Sequence, residues 1–343
     1  MKIYAIVLLF ALTLASCQNK NVGTAVFTNG ITVSTNGFRI INDTVTFDTK
    51  GLLLPYLKYK NKYYCEHYNS NKPGIDDIAE IYIIDKNGNI DSTNNAPFSN
   101  LGKQDFHASH DSIFYSTYYD ESDFYLNEKN KEWLSIKKVD DVIFEDDDYY
   151  VTTLYYGEWG GATWFKDKKT GVEYEAPVAA FAVRRAKGTY FLVTSHAIYK
   201  LMHPKLLVNV GKGAYHSYRG LKNVGKFYSR KSKGNYDALE IIYQSKILQG
   251  DDYKFYSAPS FVLNNNLYVV MTDSSKTYVA TICKKQLVRV TNIGDSISLH
   301  EDDNAYRNRH ISQSIPFTTG KRELYGILEI KNDTIFLHYF KHR

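Results

Sequence analysis

The chain is short of the residues that build several common kinds of site. It has 3 cysteines in 343 residues, none of them in a CxxC pair or a Cys/His cluster with zinc spacing, which argues against a structural zinc centre. No GxSxG, HExxH or triad-like cluster appears, so no motif assigns an enzymatic activity. The glycine-rich loop GEWGGATW (157–164) lacks a following GK[ST] and opens no helical pattern, which argues against a phosphate cradle. Charge of one sign is also scarce. Lys and Arg number 42 against 37 Asp and Glu, a net +5 that becomes +4 without Lys2. No arginine-rich helix or nucleic-acid module accompanies that small excess, so nucleic acid is not an expected partner. Beyond the first sixteen residues no convincing helical period occurs; LNEKNKEWLSIKK comes nearest, but its Asn and Lys suit a turn.

What the chain does have is aromatic, β-forming sequence. Tyr contributes 30 residues, aromatics together 15%, and apolar residues 43%, enough for a large core rich in strands. The run from Tyr149 to Gly211 sets the rhythm: strand, glycine loop, strand, DKKTG turn, strand, and then again. Residues 176–211 match 258–294. Both open Ala-Pro and contain four strand-like runs, and their starts lie 82 residues apart, twice 41. A four-stranded unit of about 41 residues is the period of a β-propeller blade. The expected fold is therefore all-β, a β-propeller of about seven four-stranded blades, with six or eight also fitting and a pair of β-sandwiches as the alternative. LEIKNDTIFLHYF near the end echoes FRIINDTVTF near the start, as in a ring whose last blade takes strands from both termini. FRIINDTVTF itself reads as two short strands about an Asn-Asp turn. Cys65 and Cys283 lie far apart in strand-like runs and read as buried free thiols, a disulfide being the alternative.

The N-terminus carries the most specific pattern. Lys2, an apolar stretch from Ile3 to Leu12 and small residues beyond it form a secretory leader, too short to span a membrane. Leu14-Ala15-Ser16-Cys17 resembles the lipobox of bacterial lipoproteins. The resemblance implies cleavage after residue 16, lipidation of Cys17, and, with Gln18 next, an outer-membrane destination. Several acyl chains on one cysteine, each CH₂ worth about 0.8 kcal/mol, anchor firmly. The expected organisation is a leader over 1–16, the lipidated cysteine and a polar tether over 17–23, and one propeller domain over 24–343. The hairpins WFKDKKTGVEY and IYIIDKNGNID resemble the outer-strand turns of WD-repeat and quinoprotein-type propellers. Those families' GH and WD dipeptides and quinone-contacting tryptophans are absent, so the resemblance implies a fold and carries over no functional residue.

Candidate chemistry is dispersed. Trp159 and Trp164 beside glycines read as a tight turn or as a stacking platform for a sugar. His107 and His110 are three apart without a helix to align them on a metal. Asp140 to Asp148 holds six acidic residues interrupted by Val142-Ile143-Phe144, which suits a charged surface turn better than a calcium loop. Arg219 to Lys233 carries six basic residues and no acidic one, and reads as a solvated connector or an anionic-surface contact. Strand direction gathers the longer loops on one rim, with Glu158, Trp159, His196, Asp273, His107, His110 and His300, and leaves Arg184, Arg185, Lys168 and Lys169 on the other. The expected function is an anchored binding or scaffold lipoprotein, monomeric and without a cofactor, with a glycan or envelope protein as ligand on the first rim. The alternative is a propeller-type glycoside hydrolase using paired carboxylates. Replacing Cys17 with Ser should move the protein from the membrane pellet to the soluble fraction; a variant that still sediments with membranes would refute the anchor.

Overall fold

Turn chemistry sets the architecture. Asn36-Gly37, Lys60-Asn61, Asn264-Asn265 and Lys284-Lys285 all have positive φ, and each joins two antiparallel strands. Two successive left-handed residues give the tight turn whose twist matches that of a strand pair. Gly37 adopts this backbone freely, whereas lysine stands at several sites where Asn or Gly is usual. Between such turns the runs are rich in Tyr, Phe, Val and Ile, which fit a pleated surface covered on both faces.

The computed structural model describes residues 21–69, 80–93, 104–109, 112–117, 122–137, 140, 142–155, 160–194, 196–219, 226, 236–245, 259–273, 275–299, 313–319 and 324–343. A long hairpin comes first, β1 (Asn21–Thr35) and β2 (Phe38–Asp48). Unit 1 is β3 (Leu52–Tyr59), β4 (Lys62–Tyr68), β5 (Glu80–Ile84) and β6 (Asn89–Ser92). Unit 2 is β7 (Gln104–Ser109), β8 (Ser112–Thr117), β9 (Ser122–Asn127) and β10 (Glu132–Lys137). Unit 3 is β11 (Val142–Glu145), β12 (Tyr149–Tyr155), β13 (Gly161–Asp167) and β14 (Glu173–Ala176). Unit 4 opens with β15 (Ala182–Ala186), β16 (Thr189–Val193) and β17 (Ala197–Leu201). The chain then returns to unit 3, adding β18 (Val208–Gly211) beside β14, and forms the short helix α1 (Ala214–Tyr218) before β19 (Leu239–Gln244) completes unit 4. Unit 5 is β20 (Ser260–Leu263), β21 (Asn266–Thr272), β22 (Lys276–Cys283) and β23 (Gln286–Asp295). Unit 6 is β24 (Ile297–Leu299), β25 (Gln313–Thr319), β26 (Tyr325–Lys331) and β27 (Thr334–His342).

The architecture is all-β, and apolar clusters join most neighbouring units. One apolar cluster joins units 1 and 2 through Leu57, Ile81, Ile113 and Trp133. Another joins 3 and 4 through Val151, Phe165, Val183 and Leu192. Units 4 and 5 meet at Ile198, Val269 and Ala280, and units 5 and 6 at Phe261, Val279, Phe317 and Leu337. The last unit then packs on the first, where Ile327 and Phe340 meet Leu53, Tyr63 and Cys65. The β1–β2 hairpin bridges this seam. β2 runs parallel to β27 and β1 antiparallel to β6, making one ten-stranded sheet of units 6 and 1. The hairpin tip also reaches unit 5, where Asn36 Nδ2 donates to the Val290 carbonyl at 2.5 Å.

Several sequence expectations change here. FRIINDTVTF is a single strand, because Asn42 and Asp43 pair with β27 along its whole length and Asp43 Oδ1 accepts the Gly30 N–H across from it. Asn332-Asp333, the echo of that pair, does form a hairpin turn. LLVNVG is not the fourth strand of its own unit. Residues 204–206 form a 3₁₀ turn, β18 joins unit 3, and β19 fills the vacated edge. Cys65 is buried and free as expected, but Cys283 is exposed at the end of β22. Among the described residues no helix is long and apolar enough to cross a membrane.

Gly326 offers a test of the seam. In β26 a Cβ at this position would sit 2.6 Å from the His338 carbonyl and would overlap the Phe317 ring. Gly326→Ala should destabilise the protein by about 1–3 kcal/mol through overpacking, read as a lower denaturation midpoint at unchanged m-value; a midpoint equal to wild type would show that the two strands yield freely.

Candidate functional site

The period of two along β27 places His338, Phe340 and His342 on one face, turned toward unit 1. His338 is 1% exposed and lies at the centre of a network drawn from five strands. Its Nδ1 is 3.2 Å from Asp43 Oδ2 on β2 and 3.1 Å from the Tyr63 hydroxyl on β4. Its Nε2 is 3.1 Å from Glu329 Oε2 on β26 and 3.1 Å from Lys58 Nζ on β3. Lys58 Nζ donates to Glu329 Oε2 at 2.7 Å and lies over the Tyr63 and Phe336 rings. The Lys58 main-chain N–H donates to Ser314 Oγ of β25.

The electrostatics follow from this crowding. Burial raises the Glu329 carboxyl, but the His338 hydrogen bond and the Lys58 ammonium outweigh it and bring the group down to about 2. The hydrogen bond from His338 leads in lowering Asp43, against the opposing effect of burial. Burial pushes the Tyr63 phenol up, so it stays protonated. Two ionised carboxylates, an ammonium and an imidazole thus compensate one another inside the seam.

Along the same strand the network gives way to an open cleft. Phe340 packs on Tyr63 with its ring 5.2 Å away and also lines a cleft of about 900 Å³. Phe47, Leu52, Leu53, Leu324 and Tyr325 supply the rest of its apolar wall, with Asp48, Lys50, Lys341 and His342 among the polar groups. Both ring nitrogens of His342 face main-chain oxygens, Nδ1 at 2.8 Å from that of Arg343 and Nε2 close to that of Thr49. Those two contacts raise the imidazole's pKa, with nearby Asp48 helping against burial, so the cleft gains positive character as pH falls. The cleft opens where β2 passes into β3 and where β26 begins.

Cys17, His110, Glu158, Trp159 and His300 lie outside the described residues, and His107 is on β7 without a described side chain. His196 is exposed between β16 and β17. Asp273, between β21 and β22, holds its own turn. Oδ1 accepts from the main-chain N–H of Ser275 and Lys276, and Oδ2 pairs with Arg289 at 2.5 Å, which together drive its pKa far down. Trp164 is a core residue, not half of a stacking platform: it is fully buried and its Nε1 donates to Glu175 at 2.9 Å. Asp146 is not a solvated turn residue either, since it accepts from the Tyr190 hydroxyl and pairs with Arg185. Arg184, expected beside Arg185 on the plain rim, lies mid-strand and half-buried. His338 and His342 were missed, although the alternation in LHYFKH marks them as facing the same way as Phe340.

No protein-family model matches the chain, and no curated protein matches its sequence. Solved structures with similar folds include a candidate 6-phosphogluconolactonase from Bacteroides fragilis, 8% identical, covering 94% of this chain and 99% of that one at a TM-score of 0.35. Virginiamycin B lyase from Staphylococcus aureus is 12% identical, with 91% and 88% covered and a TM-score of 0.33. An auxiliary nutrient binding protein from Bacteroides thetaiotaomicron is 10% identical, with 89% and 74% covered and a TM-score of 0.31. At these values none transfers an activity. The fold is almost wholly β and β-propeller-like, with four- and five-stranded antiparallel sheets joined by shared apolar clusters.

The sign of the seam's pH dependence follows from Glu329. Its folded pKa is depressed below the ordinary 4.5, so its stabilisation is present above about pH 4.5 and is lost as pH falls toward 2, on the order of 3 kcal/mol in all. Urea midpoints measured across that window should fall steeply in wild type and less steeply in Glu329→Gln. Parallel acid limbs would remove Glu329 from the account.

Proposed function

We propose that the protein is a cell-envelope lipoprotein, a six-bladed β-propeller held at the outer membrane by acyl chains on Cys17, which binds a glycan or a segment of an envelope protein as a monomer. Apolar clusters shared between successive groups support reading each four-stranded group as one blade, and six such groups agree with the lower end of the range that a 41-residue period allows. The lining of the seam cleft carries the binding reading. Its volume is in the range of about 300–1,000 Å³ typical of ligand sites, and its described walls are apolar and aromatic with one carboxylate, Asp48. Glycoside hydrolysis by the usual route needs two carboxyl groups, one of them protonated to act as acid. In the adjoining network Asp43 and Glu329 are both held ionised, so neither has a proton to give near neutral pH. Binding is therefore favoured over a propeller-type glycoside hydrolase.

Tyr325→Ala and Lys341→Glu alter the cleft wall at half-buried and exposed positions. Each should weaken capture on a glycan array, or of envelope proteins from solubilised membranes, by about tenfold if the cleft is the contact. Unchanged capture by both folded variants would move the site elsewhere. Turnover of a chromogenic glycoside by wild type that is lost in Asp48→Asn would replace the binding reading with the hydrolase.

A further inference from the structure

A second site is marked by a half-buried charge that no carboxylate among the described residues compensates. β15 and β20 are edge strands of neighbouring units 4 and 5. Ala182 and Arg184 project from the same face of β15, and Ala182 packs in the cluster between these units together with Val262 of β20. Ser260, two residues before Val262, shares that face of β20. The side chains of Arg184 and Ser260 therefore enter one interface from opposite sides.

Their partners are few. Arg184 Nε donates to the Ser260 carbonyl at 2.7 Å and Nη1 to its neighbour Val183 at 2.9 Å. Among the described residues no carboxylate pairs with this guanidinium, although Arg185 beside it pairs with Asp146. Burial alone brings the Arg184 guanidinium down to about 10. The Ser260 hydroxyl is 1% exposed by residue and has no hydrogen-bond partner among the described residues. A half-buried cation with only main-chain partners and a buried hydroxyl with none among the described residues are each costly, and here they occur together.

We propose that Arg184 and Ser260 form a binding site for an oxyanion, a carboxylate or phosphate group, where the edge strands β15 and β20 of units 4 and 5 meet. Two guanidinium donors remain for it, the second Nη1 hydrogen and the Nη2 pair, in the forked arrangement that matches two oxygens of one anion. The Ser260 hydroxyl supplies a third. The bound anion satisfies the charge and the hydroxyl at once. This site is independent of the seam cleft, which lies between units 6 and 1.

The test is thermal unfolding of the full-length protein at constant ionic strength, titrated separately with inorganic phosphate, sulfate, acetate and succinate against sodium chloride. An oxyanion that binds only the folded state should raise Tm, by about 5 °C at a hundredfold excess over Kd. The phosphate and carboxylate arms identify which chemistry the site prefers. Arg184→Met should abolish the shift, Arg184→Lys should weaken binding at least tenfold by losing the fork, and Ser260→Ala should weaken it less. Should Arg184→Met fail to fold, the Lys and Ala variants still decide. An equal shift in these variants and wild type, or no oxyanion responding beyond chloride, would overturn the proposal and leave Arg184 as a strand-to-strand tie.

Discussion

A propeller-like stack of sheets has one joint that the chain does not make for itself. Units 1 to 6 succeed one another along the backbone, but the contact between the last and the first depends on side chains and on a borrowed hairpin. The network around His338 meets that need with groups from β2, β3, β4, β26 and β27. Its carboxylates, ammonium and imidazole are each too costly to bury alone, and together they offset one another. Register follows from this, because shifting β2 along β27 by one residue would turn Asp43 away from His338 and leave charges unmatched. The cleft beside the network inherits its shape from the same joint, since Phe340 belongs to both.

Much of the fold was legible in the sequence. The 41-residue spacing, the paired Ala-Pro starts and the turn dipeptides mark out sheets that pack in order, and the NDT echo falls on β2 and β27, which lie side by side. What local pattern could not supply was the choice of partner at each edge. LLVNVG and ALEIIYQS are both good strand sequences, and only packing decides that the first crosses to unit 3 and the second completes unit 4. Asn42-Asp43 and Asn332-Asp333 are the same dipeptide, yet one lies in a strand and one in a turn, because the first has a partner strand on each side and the second stands at a sheet's end.

The candidate site was less legible for a related reason. Sequence reasoning favours polar residues in loops, and the polar cluster observed here sits on strands. His338, Glu329 and Lys58 stand in apolar runs and come together from positions about 280 residues apart. Asp273, a candidate from its loop position, and Asp146, in the acidic run, are each occupied in holding a turn or bonding a neighbouring sheet. The more informative polar groups were those, like Arg184 and Ser260, whose surroundings leave them unsatisfied.

The hairpin that bridges the seam also bears on how the molecule is made. Arg39 of β2 pairs with Thr334 of β27, nearly 300 positions later, so the first strands synthesised wait for the last before one side of the ladder is covered. Until then β2 presents a long open edge, and such an edge can recruit any other extended chain. Folding dominated by so distant a contact is slow. The same strand that locks the finished ring is thus the most exposed element of the unfinished one, and a chain broken off before β27 would keep that edge permanently open.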